Sequence, residues 1–141
     1  MNVMIDTNVI IDDILNRAPN AVVARKISQL VEDGIINGYI TANSITDIFY
    51  IVAKIKGNEI TRTIIRNLLG TFMIVSVDGQ DCLQALDLPL NDFEDALVII
   101  CAQKTSLDYI ITNDKGFLSE TAISVPSISP DDFLLKFTTA D

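Results

Sequence analysis

The sequence predicts an α/β fold, a parallel β-sheet sandwiched between α-helices. Short β-branched runs alternate with longer stretches of helical apolar spacing along the whole chain. That alternation is how a parallel sheet covered by helices on both faces reads in one dimension. The apolar runs are also only a handful of residues long, which suits strands buried in a domain and suits no bilayer span. In such folds ligands bind beyond the carboxyl ends of the strands.

The elements follow in order. Residues 2–5 read as a short buried strand and 7–16 as a helix. A second helix spans about 19–33, with Pro19 in its first turn, Val22, Val23, Ile27, Leu30 and Val31 at helical spacing, and Gly34 as its stop. "GYIT" at 38–41 is a second strand. "NSITDIFYIVAKIKG" is a helix capped by Ser44 and ended by Gly57, and 59–69 form another, with Gly70 past its end. "TFMIVSV" at 71–77 is rich in β-branched residues and reads as a strand. Residues 79–87 look helical, and "NDFEDALVIICAQKTS" is a strong helix. "DYIITND" is a strand running into a turn, followed by a short helix near 115–120 and a weak last strand at 123–125. Ser129-Pro130-Asp131-Asp132 opens a final helix with a cap, a proline at the first position and acids in the first turn.

The 141 residues suit a single domain over 1–141, and 49% hydrophobic content reads as globular. No basic region followed by an apolar stretch opens the chain, so no signal peptide is expected and the expected compartment is the cytoplasm. Cys82 and Cys101 sit inside helical patterns and read as small core residues. The chain has no histidine, which removes histidine acid–base chemistry and makes zinc a poor candidate. A net charge of −9 argues against a nucleic-acid binder, unless divalent cations reverse the local charge. Lys54, Lys56, Arg62 and Arg66 fall close together with only Glu59 among them. They read either as a solvated helical face or as a contact for RNA or an acidic partner.

The carboxylates then take on a pattern. Asp6 ends the first strand, Asp114 follows "YIIT", Asp47 lies in the first turn after the second strand, and Asp92 and Asp95 open the helix that feeds the Asp114 strand. Strand ends and the starts of the following helices share one edge of a parallel sheet, which places Asp6, Asp47 and Asp114 there directly and Asp95 only if its helix starts at that edge. Taken singly, Ser44-x-x-Asp47 and Asp92-x-x-Asp95 resemble capping boxes and Asp114 suits a turn, whereas Asp6, adjoining a buried strand, and Asp95, followed at once by Ala96, Leu97, Ile99 and Ile100, are harder to explain that way. Together they crowd one edge with Lys115 as the only close base. Clustered carboxylates raise one another's pKa, and Mg²⁺ or Mn²⁺ would relieve this through hard oxygen ligands. Within "DFED" the three-residue spacing puts Asp92 and Asp95 on one face. Glu94 is therefore expected on the solvent side and Asp95 in the site, with Asp92 an outer member or a plain N-cap.

"MIDTNVIID", "NDFEDALVIICAQ" and "YIITNDKGF" resemble the three acidic motifs of PIN-domain nucleases, the group that includes VapC-like toxins of bacterial toxin–antitoxin pairs. The resemblance runs the length of the chain and rests on the combination of motifs. It implies a parallel sheet sandwiched by helices and Mg²⁺- or Mn²⁺-dependent cleavage of phosphodiester bonds, usually in RNA. It implies Asp6, Asp47, Asp95 and Asp114 as metal-site acids, with Asn8, Ser44, Thr112 and Asn113 in supporting polar positions. The family commonly carries Glu where this chain has Asp47, one methylene shorter, so the contact of Asp47 is expected through water. The partners it implies are an RNA substrate, an antitoxin protein and, in a homodimer, a second copy; the short apolar runs lead to the expectation of no membrane partner.

Rival readings are weaker on the residues. A haloacid-dehalogenase-type phosphatase needs a second aspartate where Asn8 stands, and a receiver domain needs an acidic pair that is missing. The alternative from another class is a catalytically weak PIN-like domain acting as a protein- or RNA-binding module. RNA cleavage abolished by EDTA separates the two.

Overall fold

The computed structural model describes residues 1–118 and 124–139. Five strands, β1 (Asn2–Ile5), β2 (Asn37–Thr41), β3 (Met73–Val75), β4 (Tyr109–Ile111) and β5 (Ser127–Ile128), form one sheet in the order β3-β2-β1-β4-β5. All four pairings are parallel. The helices between and beyond them are α1 (Thr7–Ile14), α2 (Ala21–Glu32), α3 (Ala42–Lys56), α4 (Asn58–Thr71), α5 (Gly79–Leu86), α6 (Phe93–Lys104), α7 (Lys115–Leu118) and α8 (Pro130–Thr139). The predicted α/β sandwich is therefore present. The chain starts at the centre, steps outward through β2 to β3, then crosses back to β4 on the other side of β1. The crevice at such a switch point opens beyond the carboxyl ends of the central strands.

Both faces of the sheet are buried, which explains the continuous apolar strands. Val3 and Ile5 pack into one layer with Ile10, Ile27, Ile48 and Val52, whereas Met4 points the other way, among Val98, Ile99, Cys101 and Ile110. Ile110 and Ile111 divide between the same two layers, as the two-residue repeat of a strand requires. Both cysteines are free thiols, Cys101 buried and Cys82 half-buried, and burial pushes the Cys101 thiol up to about 11.

Gly38 marks the tightest approach. A Cβ there would lie 2.8 Å from two carbons of the Phe72 ring and 2.8 Å from Val31. The missing side chain lets the end of α4 and the end of α2 close over β2. On the other face, Lys104 ties α6 to the loop after β3 and to the first turn of α5, donating to the Ser76 carbonyl at 2.7 Å and to Asp81 at 2.6 Å. Its hydrogen bond is the first cause holding the Asp81 carboxyl below the usual range.

Several boundaries differ from expectation. α2 begins at Ala21, with Pro19 in the turn before it. α3 begins at Ala42 with Thr41 as its N-cap residue, so Ser44 is not the cap. The last strand is Ser127–Ile128, not 123–125. Residues 124 and 125 form a bend, and residue 123 lies outside the described residues, as do 119 and 120 of the expected short helix. The last strand follows Pro126, whose carbonyl accepts the Ile110 N–H. The final helix starts as read, with the Ser129 hydroxyl accepting the Asp132 N–H at 3.1 Å. No described helix is long and apolar enough to cross a membrane.

Candidate active site

Asp6 closes the central strand. Its N–H still donates to the Ile111 carbonyl at 3.0 Å, keeping the backbone in the sheet while the side chain starts α1. One carboxylate oxygen accepts the Thr7 N–H at 2.9 Å and the other accepts the Thr112 hydroxyl at 2.8 Å. Asp6 is 6% exposed. Burial raises its pKa, these two bonds oppose the rise, and the charges of Asp114 and Asp92 add to it.

Thr112 is fully buried where β4 ends. Besides donating to Asp6, its hydroxyl accepts the Asp114 N–H at 3.0 Å. The Asp114 carboxylate in turn accepts the N–H groups of Gly116 at 2.9 Å and Phe117 at 3.2 Å. Aspartate commonly closes a turn in this way. One hydroxyl thus links the acids at the ends of two adjacent strands.

α6 arrives end-on. Asp92 is its N-cap, with its side chain accepting the Asp95 N–H at 3.0 Å. Asp92 has extended backbone angles and stands outside the helix, so the three-residue face rule does not reach across it. Glu94 and Asp95, both in the first turn, line the same cavity as Asp92. The expectation that Glu94 faces away into solvent is therefore corrected. Glu94 stands at the exposed rim of the cavity, within hydrogen-bonding reach of Asp47.

α3 delivers Asp47 from its second turn, because it starts at Ala42. Ser44 lies inside the helix and is 2% exposed. Its hydroxyl is 2.6 Å from that of Thr41 and accepts from Thr7 at 2.7 Å. Ser44 therefore joins α3 to the start of α1 rather than capping a helix.

The result is a cavity of about 300 Å³ with six carboxylates among its ten lining residues and no Lys or Arg. The six are Asp6, Asp47, Asp92, Glu94, Asp95 and Asp114, and the walls are completed by Thr7, Asn8, Tyr50 and Ile51. Asp95 is pushed up to about 7, by burial first and then by the charges of Asp92, Asp6 and Asp114. Glu94 is also raised to about 7, first through its hydrogen bond with Asp47, then by burial and the charges of Asp47, Asp92 and Asp6. Among the described residues, no three Cys, Asp or Glu side chains are gathered, as they stand, closely enough to hold one ion together. The set is nevertheless all oxygen and all acidic, the donor chemistry of a hard divalent cation.

The remaining expected residues divide. Asn8 lines the cavity. Asn113 does not, and its amide nitrogen is buried with no hydrogen-bond partner among the described residues. Lys54, Lys56, Arg62 and Arg66 are exposed on α3 and α4, outside the acidic cavity. Arg62 lies 5.8 Å over the Phe49 ring, and it shares a shallow surface pocket with Arg66. Thr7, Tyr50, Ile51 and Glu94 are the lining residues that sequence reasoning missed. The signal for Glu94 was its place in a helix first turn, and for Tyr50 its position three residues after Asp47.

An all-parallel sheet with acids converging beyond its central strands is the arrangement of a PIN domain, and the chain matches the PIN domain family model over residues 2–116. It belongs to that family. Solved structures of the same fold include a toxin–antitoxin complex from Klebsiella pneumoniae, at 19% identity over 91% of this chain and 97% of that chain with a TM-score of 0.67. VapBC2 from Rickettsia felis, bound to a DNA fragment from its promoter, is 16% identical over 92% of this chain and 98% of that chain, TM-score 0.65. VapC20 from Mycobacterium tuberculosis, a toxin that cleaves the sarcin-ricin loop, is 12% identical over 82% of this chain and 92% of that chain, TM-score 0.65. No curated protein matches the sequence significantly.

Proposed function

We propose that the chain, as one domain over residues 1–141, is a divalent-metal-dependent endoribonuclease that hydrolyses RNA phosphodiester bonds as the toxin of a toxin–antitoxin pair in the cytoplasm. The observation that carries this reading is the cavity lined by six carboxylates and by no Lys or Arg, at the carboxyl ends of the central strands. Six carboxylates lining one cavity raise one another's pKa and ask for positive charge, and none comes from the cavity's own side chains. The likeness to a toxin–antitoxin complex and to a toxin that cleaves the sarcin-ricin loop supports the toxin role, an RNA substrate and an antitoxin protein as partner. A homodimer belongs to the same reading.

Asp6, Asp95 and Asp114, with Asp47 alongside Glu94, are the groups that would hold Mg²⁺ or Mn²⁺. Such an ion lowers the pKa of a bound water and offsets charge on the scissile phosphate. Asp114 orients the attacking water, Thr112 keeps Asp6 and Asp114 in register, and Ser44 fixes α3 against α1. Asp92 acts as the cap that aims the first turn of α6 into the cavity. Arg62, Arg66, Lys54 and Lys56 form a basic border for the RNA backbone or for an acidic segment of the antitoxin. No protein nucleophile is required, in keeping with a chain without histidine.

The test is cleavage of RNA by the purified protein in Mg²⁺ or Mn²⁺, abolished by EDTA. Asp95→Asn should lower the rate by more than the roughly 10–100-fold that follows loss of an outer-shell partner at a metal site. An Asn variant that cuts as fast as the parent contradicts the assignment. Metal binding without any cleavage would instead favour the binding-module reading.

A further inference from the structure

We infer that the exposed face of α3 is the track for single-stranded RNA leaving the acidic cavity, with Tyr50 stacking on the base beside the scissile phosphate and Lys54 meeting the next phosphate. This rests on the ribonuclease reading and adds the element that positions the strand.

Asp47, Tyr50, Ile51 and Lys54 are separated by three, four and seven residues from the first, the spacing of one helical face. The orientation of that face is fixed from behind, because Ser44, Ile48 and Val52 are buried. Asp47, Tyr50 and Ile51 line the acidic cavity. Lys54 lies two turns beyond Asp47, about 10 Å along the axis, and is exposed. The face therefore reads acid, aromatic, cation, moving outward from the site.

Tyr50 is 65% exposed, so its ring is open to a partner at the edge of the cavity. Its ring is braced from one side, where Phe49 meets it edge-on at 6.3 Å and 88°, and Phe49 is itself overlaid by Arg62 at 5.8 Å. A braced, exposed aromatic suits stacking, which any base can use and which loses little freedom on binding. The acids of the cavity repel bare phosphates, so an uncharged base is the part of the strand that fits against Tyr50, and Lys54 supplies charge where the backbone re-emerges. A second copy of the chain is the rival occupant, since Ile51 and Ile55 are also exposed, at 38% and 69%. It fits less well, because a partner seated on Tyr50 would cover the mouth of the cavity.

The experiment measures binding of a short single-stranded RNA oligonucleotide to the Asp95→Asn protein in Mg²⁺, which separates binding from cutting. Adding Tyr50→Ala should weaken binding by roughly five- to a hundredfold, whereas Tyr50→Phe, which keeps the ring, should bind as before. Removing one base from the oligonucleotide should reproduce the loss in the Tyr50 protein and cost nothing further in Tyr50→Ala. Lys54→Ala should reduce the salt slope of binding by about one. Tyr50→Ala and Tyr50→Phe binding equally would overturn the inference, as would absence of binding with Tyr50 intact, or Tyr50→Ala converting a dimer to a monomer in sedimentation with RNA affinity unchanged. Cleavage by the protein with Asp95 intact is scored separately, so a failed nuclease reading shows itself apart from a failed track.

Discussion

At the scale of single residues, Thr112 shows how much one hydroxyl can organise. It is fully buried, donates to Asp6 at 2.8 Å and accepts the Asp114 N–H at 3.0 Å. Valine has the same shape but neither satisfies the Asp6 oxygen nor receives the amide. Thr112→Val should therefore destabilise the protein by about 1–3 kcal/mol, the cost of leaving buried polar groups unpaired, and chemical denaturation measures it. The same change removes a bond that lowers the Asp6 pKa, so that carboxyl should titrate higher still in the variant. Thr112→Ser should restore most of both. Asp6, Asp95 and Asp114 were legible as an acidic set because each adjoins a strand end or a helix start. Glu94 was misplaced because a face rule was counted from Asp92, which is a cap and not a helical residue. Ser44 was misread as a cap for a related reason: a serine three residues before an aspartate looks like one, yet Thr41, the last residue of β2, takes that position.

At the scale of elements, the alternation of strands and helices was readable because both faces of the sheet are buried, making each strand a short apolar run. The order of strands was not, since crossover connections leave no local trace in composition. β5 was misplaced because "ISV" is the more apolar run, whereas a strand of two residues is set by its pairing with β4 rather than by propensity. Gly38 carries the clearest packing prediction. A methyl group there would press on Phe72 and Val31 at 2.8 Å, and Phe72 is only 6% exposed. Gly38→Ala should cost about 1–3 kcal/mol by overpacking, read as a lower denaturation midpoint at an unchanged slope. Adding Phe72→Leu should recover part of the loss. Equal stability of Gly38→Ala and the parent would mean that α4 can shift away from the sheet.

At the scale of the whole molecule, a chain of net charge −9 gathers six of its acids in one cavity, and its stability must depend on how that charge is met. Glu94 and Asp95 stand at about 7 in the folded protein, against ordinary values of 4.5 and 3.8. A carboxyl whose pKa is raised by folding stabilises the fold while it is protonated. That contribution is complete below the unfolded value and is lost as pH rises through the folded one. Without metal, these two groups should make the protein lose stability between about pH 4 and 8. A divalent cation would replace the lost protons, and its effect should grow over the same range, because protons compete for the same oxygens. The most direct measurement is therefore the melting temperature in EDTA and in Mn²⁺, at about pH 6 and about pH 8. At a hundredfold excess over Kd the stabilisation is about 2.7 kcal/mol, a rise on the order of 10 °C for a chain of this size. Metal binding in this cavity should give that rise at about pH 8 and a smaller one at about pH 6. Melting curves at about pH 8 that are the same in EDTA and in Mn²⁺ would contradict it.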